Sequence, residues 1–413
     1  MLKKAFIVAV AMFLISSSTT FAAGKQDINL NVDNMQQKLL QINDFIHDNP
    51  ELGNQEFKAV ELLTSTLAEN GFKVEKGVAG LQTAFVATYV NNGGGGPVIG
   101  FIAEYDALAK LGHGCGHNMI GTAAVGAGIS LAKSLGNIPA TIIVFGTPAE
   151  ETTSGKLPMV AAGLFDKVDV ALMTHPGDRT SVGPKYLALN LVDFAFEGKA
   201  SHAAASPEKG ISALDGVMMT FNAIEYLREH VRSDIRIHGI VTDGGAAANI
   251  VPEHAAARFY IRGADRQYLN SVVERVYNAA RGAALATGTK LTIKEIKAYD
   301  NNINVDSLNS VLLENAKAAG AKRVLPPPGG SGSTDFGSVT YKVPGAELAI
   351  EYVPAGTPGH SQAMVDSGTT HAGHEAVIIA AKALAATGYD LIDNPDLLRQ
   401  VKADFQSAKA AKE

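Results

Sequence analysis

Two histidines and a cysteine share the stretch GHGCGHN, residues 112 to 118. Cys115 is the one cysteine of the 413-residue chain, and His113 and His117 each stand two residues from it, with glycines between. A thiolate is a soft metal ligand and imidazole a borderline one, so this spacing suits a divalent transition metal. A lone cysteine is more often a small buried hydrophobe, but the polar neighbours make this a poor core segment. Further donors lie downstream: Glu150 and Glu151 in GTPAEE, His175 in MTHP and His360 in GTPGH. Cys115, His117, Glu151, His175 and His360 combine thiolate, imidazole and carboxylate, a set that suits zinc and admits manganese. Such a set is too large for one open catalytic zinc. It fits two ions about 3.5–4 Å apart with a shared ligand, Cys115 being the candidate bridge. Adjacent carboxylates on a turning backbone point in different directions, so one of Glu150 and Glu151 can bind metal while the other faces water. A divalent metal brings the pKa of water toward about 7, and a nearby carboxylate can take its proton and pass one to a leaving nitrogen. That is metal-assisted amide hydrolysis.

Other readings use the same residues. A cysteine hydrolase would take Cys115 as nucleophile and His117 as base, but their spacing is poor and the sequence shows no third, orienting group. A non-catalytic periplasmic binding protein would have no use for Glu150 beside Glu151. His113 is either a further motif ligand or a donor to nearby backbone. His371 and His374 compete with His360 for the late ligand position. His47, His230, His238 and His254 read as surface or structural.

Four apolar runs lead to these residues. Residues 97–106, 140–151, 168–176 and 346–360 each read as a buried strand whose polar end emerges from a sheet. Helical patterns over 121–135 and 157–165 lie between them. Strands alternating with helices predict an α/β fold, a doubly wound, mostly parallel sheet, whose ligand crevice lies outside the carboxyl ends of the strands. Every acidic or histidine-bearing end falls on that side. The middle of the chain differs: strands at 186–197, 235–243, 253–262 and 290–298 and helices at 208–231 and 266–287 follow a βαββαβ order. That predicts an inserted ferredoxin-like α+β domain at 186–302, between catalytic parts at 23–185 and 303–413. Residues 325–334 read as loop. NNGGGGP, 91–97, reads as a turn, because no Lys-Ser/Thr follows to make a phosphate loop.

Residues 1–22 read as a secretory signal: Lys3 and Lys4, an apolar stretch from Ala5 to Ile15, and small residues before Ala23. A secreted or periplasmic location is expected. There a free thiol needs burial or coordination, which a metal at Cys115 would supply. The formal charge of -6 becomes -8 once Lys3 and Lys4 are removed, and this mild acidity argues against nucleic acid or an anionic membrane as partner. No later apolar run is long enough to span a bilayer.

The motifs EYDAL, GHGCGHN, GTPAEE, MTHP, GKASHAA, ANIVP, GSTDFG and GTPGH occur in that order. Each alone is weak; the ordered series spans nearly the whole mature chain. It resembles the metallopeptidase family of hippurate hydrolase, N-acyl-amino-acid deacylases and indole-acetyl-amino-acid hydrolases, and within it most resembles the p-aminobenzoyl-glutamate hydrolase branch. The resemblance implies two metal ions on Cys115, His117, Glu151, His175 and His360, with Glu150 as general base and later acid. It implies that His202 stabilises the oxyanion, that Asn249 and Arg262 hold the substrate's polar end, and that Asp106 supports the metal shell. A small amide substrate and a homodimer through the inserted domain are implied as well. Many relatives carry Asp after CGH; this chain carries Asn118, as that branch does.

Overall fold

The computed structural model describes residues 2–328 and 332–412, with side chains from residue 24 onward. The side chains of the stretch that reads as an export signal, residues 1–22, lie outside the described ones. The strands are β1 (Lys73–Lys76), β2 (Phe85–Asn91), β3 (Val98–Ala103), β4 (Ala140–Gly146), β5 (Val170–Gly177), β6 (Ser181–Val182), β7 (Ala188–Glu197), β8 (Arg236–Asp243), β9 (His254–Gly263), β10 (Lys290–Tyr299) and β11 (Gly345–Glu351). The helices are α1 (Leu2–Asp48), α2 (Phe57–Glu69), α3 (His117–Ser134), α4 (Lys156–Ala161), α5 (Ala213–Arg228), α6 (Arg266–Thr287), α7 (Asp306–Ala318), α8 (Phe336–Thr340), α9 (Gln362–Ser367), α10 (His371–Asp393) and α11 (Pro395–Ala410). They form two compact units, residues 2–184 with 303–328 and 339–409, and residues 185–302 with 332–338 and 410–412.

The first unit holds a seven-stranded sheet in the order β1-β2-β4-β3-β5-β11-β6. Its centre, β4-β3-β5-β11, is parallel, while β1, β2 and β6 pair antiparallel toward the edges. This is the mostly parallel α/β sheet expected from the sequence. The central strands are buried and apolar, as a sheet covered by helices requires. From β3 the chain moves to β4 on one side and then to β5 on the other. Strand order therefore reverses at β3, the position at which open α/β sheets leave a crevice at their carboxyl ends.

Helix α3 packs closely on this sheet because small residues line it: a Cβ at Gly121 would stand 2.7 Å from the Glu104 carbonyl oxygen, and one at Gly128 would stand 2.6 Å from Val144. Helix α1 lies against α3 and α10. Its Ile28, Val32, Leu39, Ile42 and Ile46 recur on one face and are buried.

The second unit is a four-stranded antiparallel sheet in the order β10-β7-β9-β8. With α5 between β7 and β8 and α6 between β9 and β10, this is the ferredoxin-like βαββαβ arrangement. Its core gathers Phe194, Phe196, Val217, Ile224, Phe259, Ile261 and Val276.

Three of the departures from the sequence reading have a plain physical cause. The late strand stops at Glu351 rather than running toward His360, because Pro354, Gly356, Pro358 and Gly359 cannot continue it. The helix expected from 208 begins at Ala213. Pro207–Lys209 forms a separate 3-10 turn, and Ser212 caps α5 by accepting from the Asp215 amide. Helix α3 starts at His117, four residues earlier than expected, after Gly116 at φ 71. A Cβ there would also stand 2.4 Å from Pro176, so glycine is required between the Cys115 and His117 positions.

Candidate metal centre

The four parallel strands deliver their chemistry at one end. Beyond β3 come Glu104, Asp106, Cys115 and His117; beyond β4, Glu150 and Glu151; within the last turn of β5, His175; beyond β11, His360. Their ligand atoms form three overlapping groups, each within 4.8 Å of one another: Cys115, His117 and His175; Cys115, Glu151 and His360; His117, Glu150 and Glu151. All five ligands of the set named from the sequence are in these groups, and Cys115, His117 and Glu151 each belong to two of them. His113 is in none. It is buried and its Nε2 faces the Ile46 carbonyl at 3.1 Å, and burial drives its pKa down to about 3. His374 pairs with Asp44 at 2.7 Å, away from the groups, and His371 is exposed at the start of α10.

Two buried carboxylates set the geometry. Asp106 accepts from His117 Nδ1 at 3.0 Å and from the Glu151 amide at 3.0 Å. It therefore fixes the ring so that Nε2 faces the group, and fixes the backbone of a second ligand. Glu104 places Oε2 3.3 Å from His117 Nε2, and its Oε1 is 2.6 Å from Lys156 Nζ, a lysine with no exposed surface. Burial alone would discharge this carboxylate; Lys156 and then the neighbouring histidines overcome it and hold its pKa below the usual value. Burial likewise opposes charge on His117, but Asp106 and Glu104 raise it well above the imidazole range. His175 hydrogen-bonds the Pro176 carbonyl through Nδ1 at 3.1 Å, which leaves Nε2 for the group, and burial lowers its pKa. Burial pushes the Cys115 thiol up to about 12.

This arrangement asks for cations. Glu104 Oε2, His117 Nε2 and Glu151 Oε1 are buried with no hydrogen-bond partner among the described residues. Glu151 Oε1 lies 3.9 Å from His117 Nε2 and 3.8 Å from His360 Nε2. Buried polar atoms left without a hydrogen-bond partner are costly, and the donor set of one thiol, three imidazoles and a carboxylate is one a divalent metal satisfies. His360 sits on the loop after β11 at φ 53, with a side chain 58% exposed, so it enters from the open side.

The sequence reading misses Glu104 and Lys156. Glu104 ends an apolar strand, which is a signal; Lys156 carries none, since lysine is almost always exposed. Asp106 supplies the orienting third group that the cysteine-hydrolase reading lacks, yet the thiol beside it is held neutral among the protein's own groups. Asn118 is buried and its Nδ2 donates to Asn43 Oδ1 at 2.9 Å. A carboxylate could not make that bond, which is a local reason for Asn at this position.

Three residues named from the sequence lie in the second unit. His202 accepts the Ala204 and Ala205 amides on Nδ1, both at 3.2 Å, so a neutral ring carries its proton on Nε2. Asn249 is exposed, and its carbonyl accepts the Ala203 amide at 3.0 Å. Arg262 is half-buried with its guanidinium 5.3 Å from the Tyr260 ring centre, and its Nε has no hydrogen-bond partner among the described residues.

Residues 103–387 match the model of peptidase family M20/M25/M40. The chain belongs to that family. The M20 match takes in all five ligands of the proposed set and reaches into both units. The chain is 34% identical to the mouse Xaa-Arg dipeptidase, over 91% of this chain and 90% of that protein. It is 32% identical to one of the subunits of the p-aminobenzoyl-glutamate hydrolase of Escherichia coli, over 90% of this chain and 92% of that protein. A solved Bacillus subtilis dinuclear metal-binding peptidase of the M20 family superposes with a TM-score of 0.66 at 19% identity, over 87% of this chain and 99% of that one. At that identity the likeness shows the fold. As an M20 member the chain is a metal-dependent amidohydrolase.

The geometry yields a prediction for Asp106. Asp106→Asn keeps the shape but loses the carboxylate that fixes His117, so metal affinity falls about 10–100-fold. Metal titration monitored by calorimetry, with circular dichroism as the control for folding, measures it. An unchanged affinity would mean that Asp106 does not support the centre.

Proposed function

We propose that this chain hydrolyses the amide bond of an N-acyl amino acid or a dipeptide, using two divalent ions, zinc or manganese, held by Cys115, His117, Glu151, His175 and His360. The observation that carries the reading is the overlap of the three ligand groups, among which buried polar atoms have no hydrogen-bond partner among the described residues. When bound, the ions would supply Lewis acidity and lower the pKa of water. Glu150, between amides fixed on either side, takes the proton from the attacking water and passes it to the leaving nitrogen. The bond broken is C–N, the bond formed is C–O, and the amine leaves neutral.

His202 is assigned to the oxyanion: its Nδ1 is occupied as an acceptor, so Nε2–H is the donor that role needs. Asn249 and Arg262 are assigned to the substrate's polar or carboxylate end, which the unpartnered Arg262 Nε supports. The substrate class is drawn from relatives named for a dipeptide and for p-aminobenzoyl-glutamate. Export rests on residues 1–22, and a homodimer through residues 186–302 rests on the family pattern. Among the described residues, no helix is long and apolar enough to cross a membrane.

The test is a substrate panel on metal-loaded protein in which the acyl half and the amine half vary independently. Turnover of acyl-amino acids or dipeptides is expected, with kcat/KM falling at least tenfold when the amine half lacks its carboxylate. A loss of that size corresponds to about 1.4 kcal/mol, less than one charge-assisted hydrogen bond can contribute. No turnover across the panel, with tight binding of one member, would favour a binding protein instead.

A further inference from the structure

Glu56 stands directly before α2 and is completely buried. One carboxylate oxygen accepts from the Thr83 hydroxyl at 2.7 Å, and the other accepts from the Ala149 amide at 2.8 Å. The Thr83 carbonyl is in turn held by the hydroxyl of buried Tyr105 at 2.6 Å. Ala149 is the residue before Glu150. It is fully buried and adopts φ 61, a left-handed backbone that is strained for a residue with a Cβ. Its carbonyl accepts the amides of Ser154 at 2.7 Å and Thr152 at 3.2 Å, closing a tight loop, and Ser154 is itself at φ 61. On the other side of Glu150, the Glu151 amide is held by Asp106 at 3.0 Å. Glu150 therefore sits between two peptide units, each fixed by a different buried carboxylate.

We propose that Glu56 is a positioning residue for the general base: its bond to the Ala149 amide holds the strained turn that aims Glu150. This rests on the reading of Glu150 as the base. Glu56 touches no candidate ligand, so its effect must travel through the 149–150 backbone. Without it, a buried N–H loses its acceptor and the left-handed turn is free to relax. A displacement of about 1 Å at a catalytic group can cost about 100-fold in rate. Cys115, His117, His175 and His360 come from other elements, and Glu151 keeps the bond from its amide to Asp106, so the ligands stay in place.

The experiment compares Glu56→Ala and Glu56→Gln with the parent, measuring kcat, KM and bound metal per chain. Glu56→Ala should lower kcat about 100-fold, with KM changed less than threefold and metal content unchanged. Glu56→Gln keeps a carbonyl oxygen for the Ala149 amide and should recover most of the loss. Adding Ala149→Gly to Glu56→Ala should also recover part of it, because glycine takes φ near 60° without a clamp. Full activity in folded Glu56→Ala overturns the proposal. So does loss of metal together with activity, or a Glu56→Gln as impaired as Glu56→Ala. If Glu56→Ala does not fold, Glu56→Asp, drawn back by one methylene, takes its place with the same expectations. A Glu150→Gln control separates the two claims. An active control removes the base assignment, whereas an inactive control beside an unimpaired Glu56→Ala removes the positioning role alone.

Discussion

Glu150→Gln lowers kcat by about 10²–10⁴-fold, the span that a single general acid–base group contributes, while KM and metal content stay near the parent's. The substitution is almost isosteric. The turn around it is fixed through backbone atoms, by Glu56 at the Ala149 amide and by Asp106 at the Glu151 amide, and neither bond uses the residue 150 side chain. The amide of glutamine can still hydrogen-bond water but cannot take its proton. The comparison with Glu151→Gln makes the test sharp. Glu151 belongs to two ligand groups and Glu150 to one, so the Glu151 variant should lose metal and activity together, and the Glu150 variant activity alone. Steady-state kinetics with metal analysis of both variants reads this out. Full activity in metal-loaded Glu150→Gln would place the base elsewhere.

What the sequence makes legible at this site follows from where its information lies. Cys115, His117, Glu151, His175 and His360 can be named because each follows an apolar run, and strand ends in a parallel sheet share one edge. The β3–β4–β5 reversal that turns this edge into a crevice is a matter of pairing, and no residue spells it. Before residue 97 no chemistry-bearing pattern stands out. Yet α1 and the start of α2 carry the Asn43 that holds Asn118 and the Glu56 that holds Ala149, contacts separated by 75 and 93 positions. No local pattern marks a glutamate before a helix as the clamp of a turn that far away. Lys156 is invisible for a similar reason. Its burial is offset by the Glu104 carboxylate that meets it, and neither residue predicts the other. The pattern puts His360 at a strand end, but the Pro- and Gly-rich loop carries it beyond the strand. The ligand role is inferred from a strand that does not reach it.

Chelation should abolish turnover, and zinc or manganese should restore it. The protein itself should survive the treatment but melt lower. Its core is built elsewhere, from β2 to β5 and the helices over them, so the fold does not depend on the centre. Without cations, however, Glu104 Oε2, His117 Nε2 and Glu151 Oε1 are buried with no hydrogen-bond partner among the described residues, each at a cost of about 1–3 kcal/mol. Of these three, Glu104 is the one that Lys156 pairs with. Ligands that bind the native state alone stabilise it by about 4 kcal/mol at a thousandfold excess over Kd. For a unit of this size that is about 10 °C of melting temperature. Differential scanning fluorimetry of the chelated and reloaded protein measures the shift independently of any assay of turnover. The two readouts should move together through a metal titration. Turnover that persists in protein shown by elemental analysis to be metal-free would reject the metal mechanism. It would pass the chemistry to Cys115, His117 and Asp106, which already line up as thiol, ring and orienting carboxylate. In that event Cys115→Ser should abolish the residual activity, whereas in the metal mechanism the same substitution acts by weakening metal binding and is offset by excess metal.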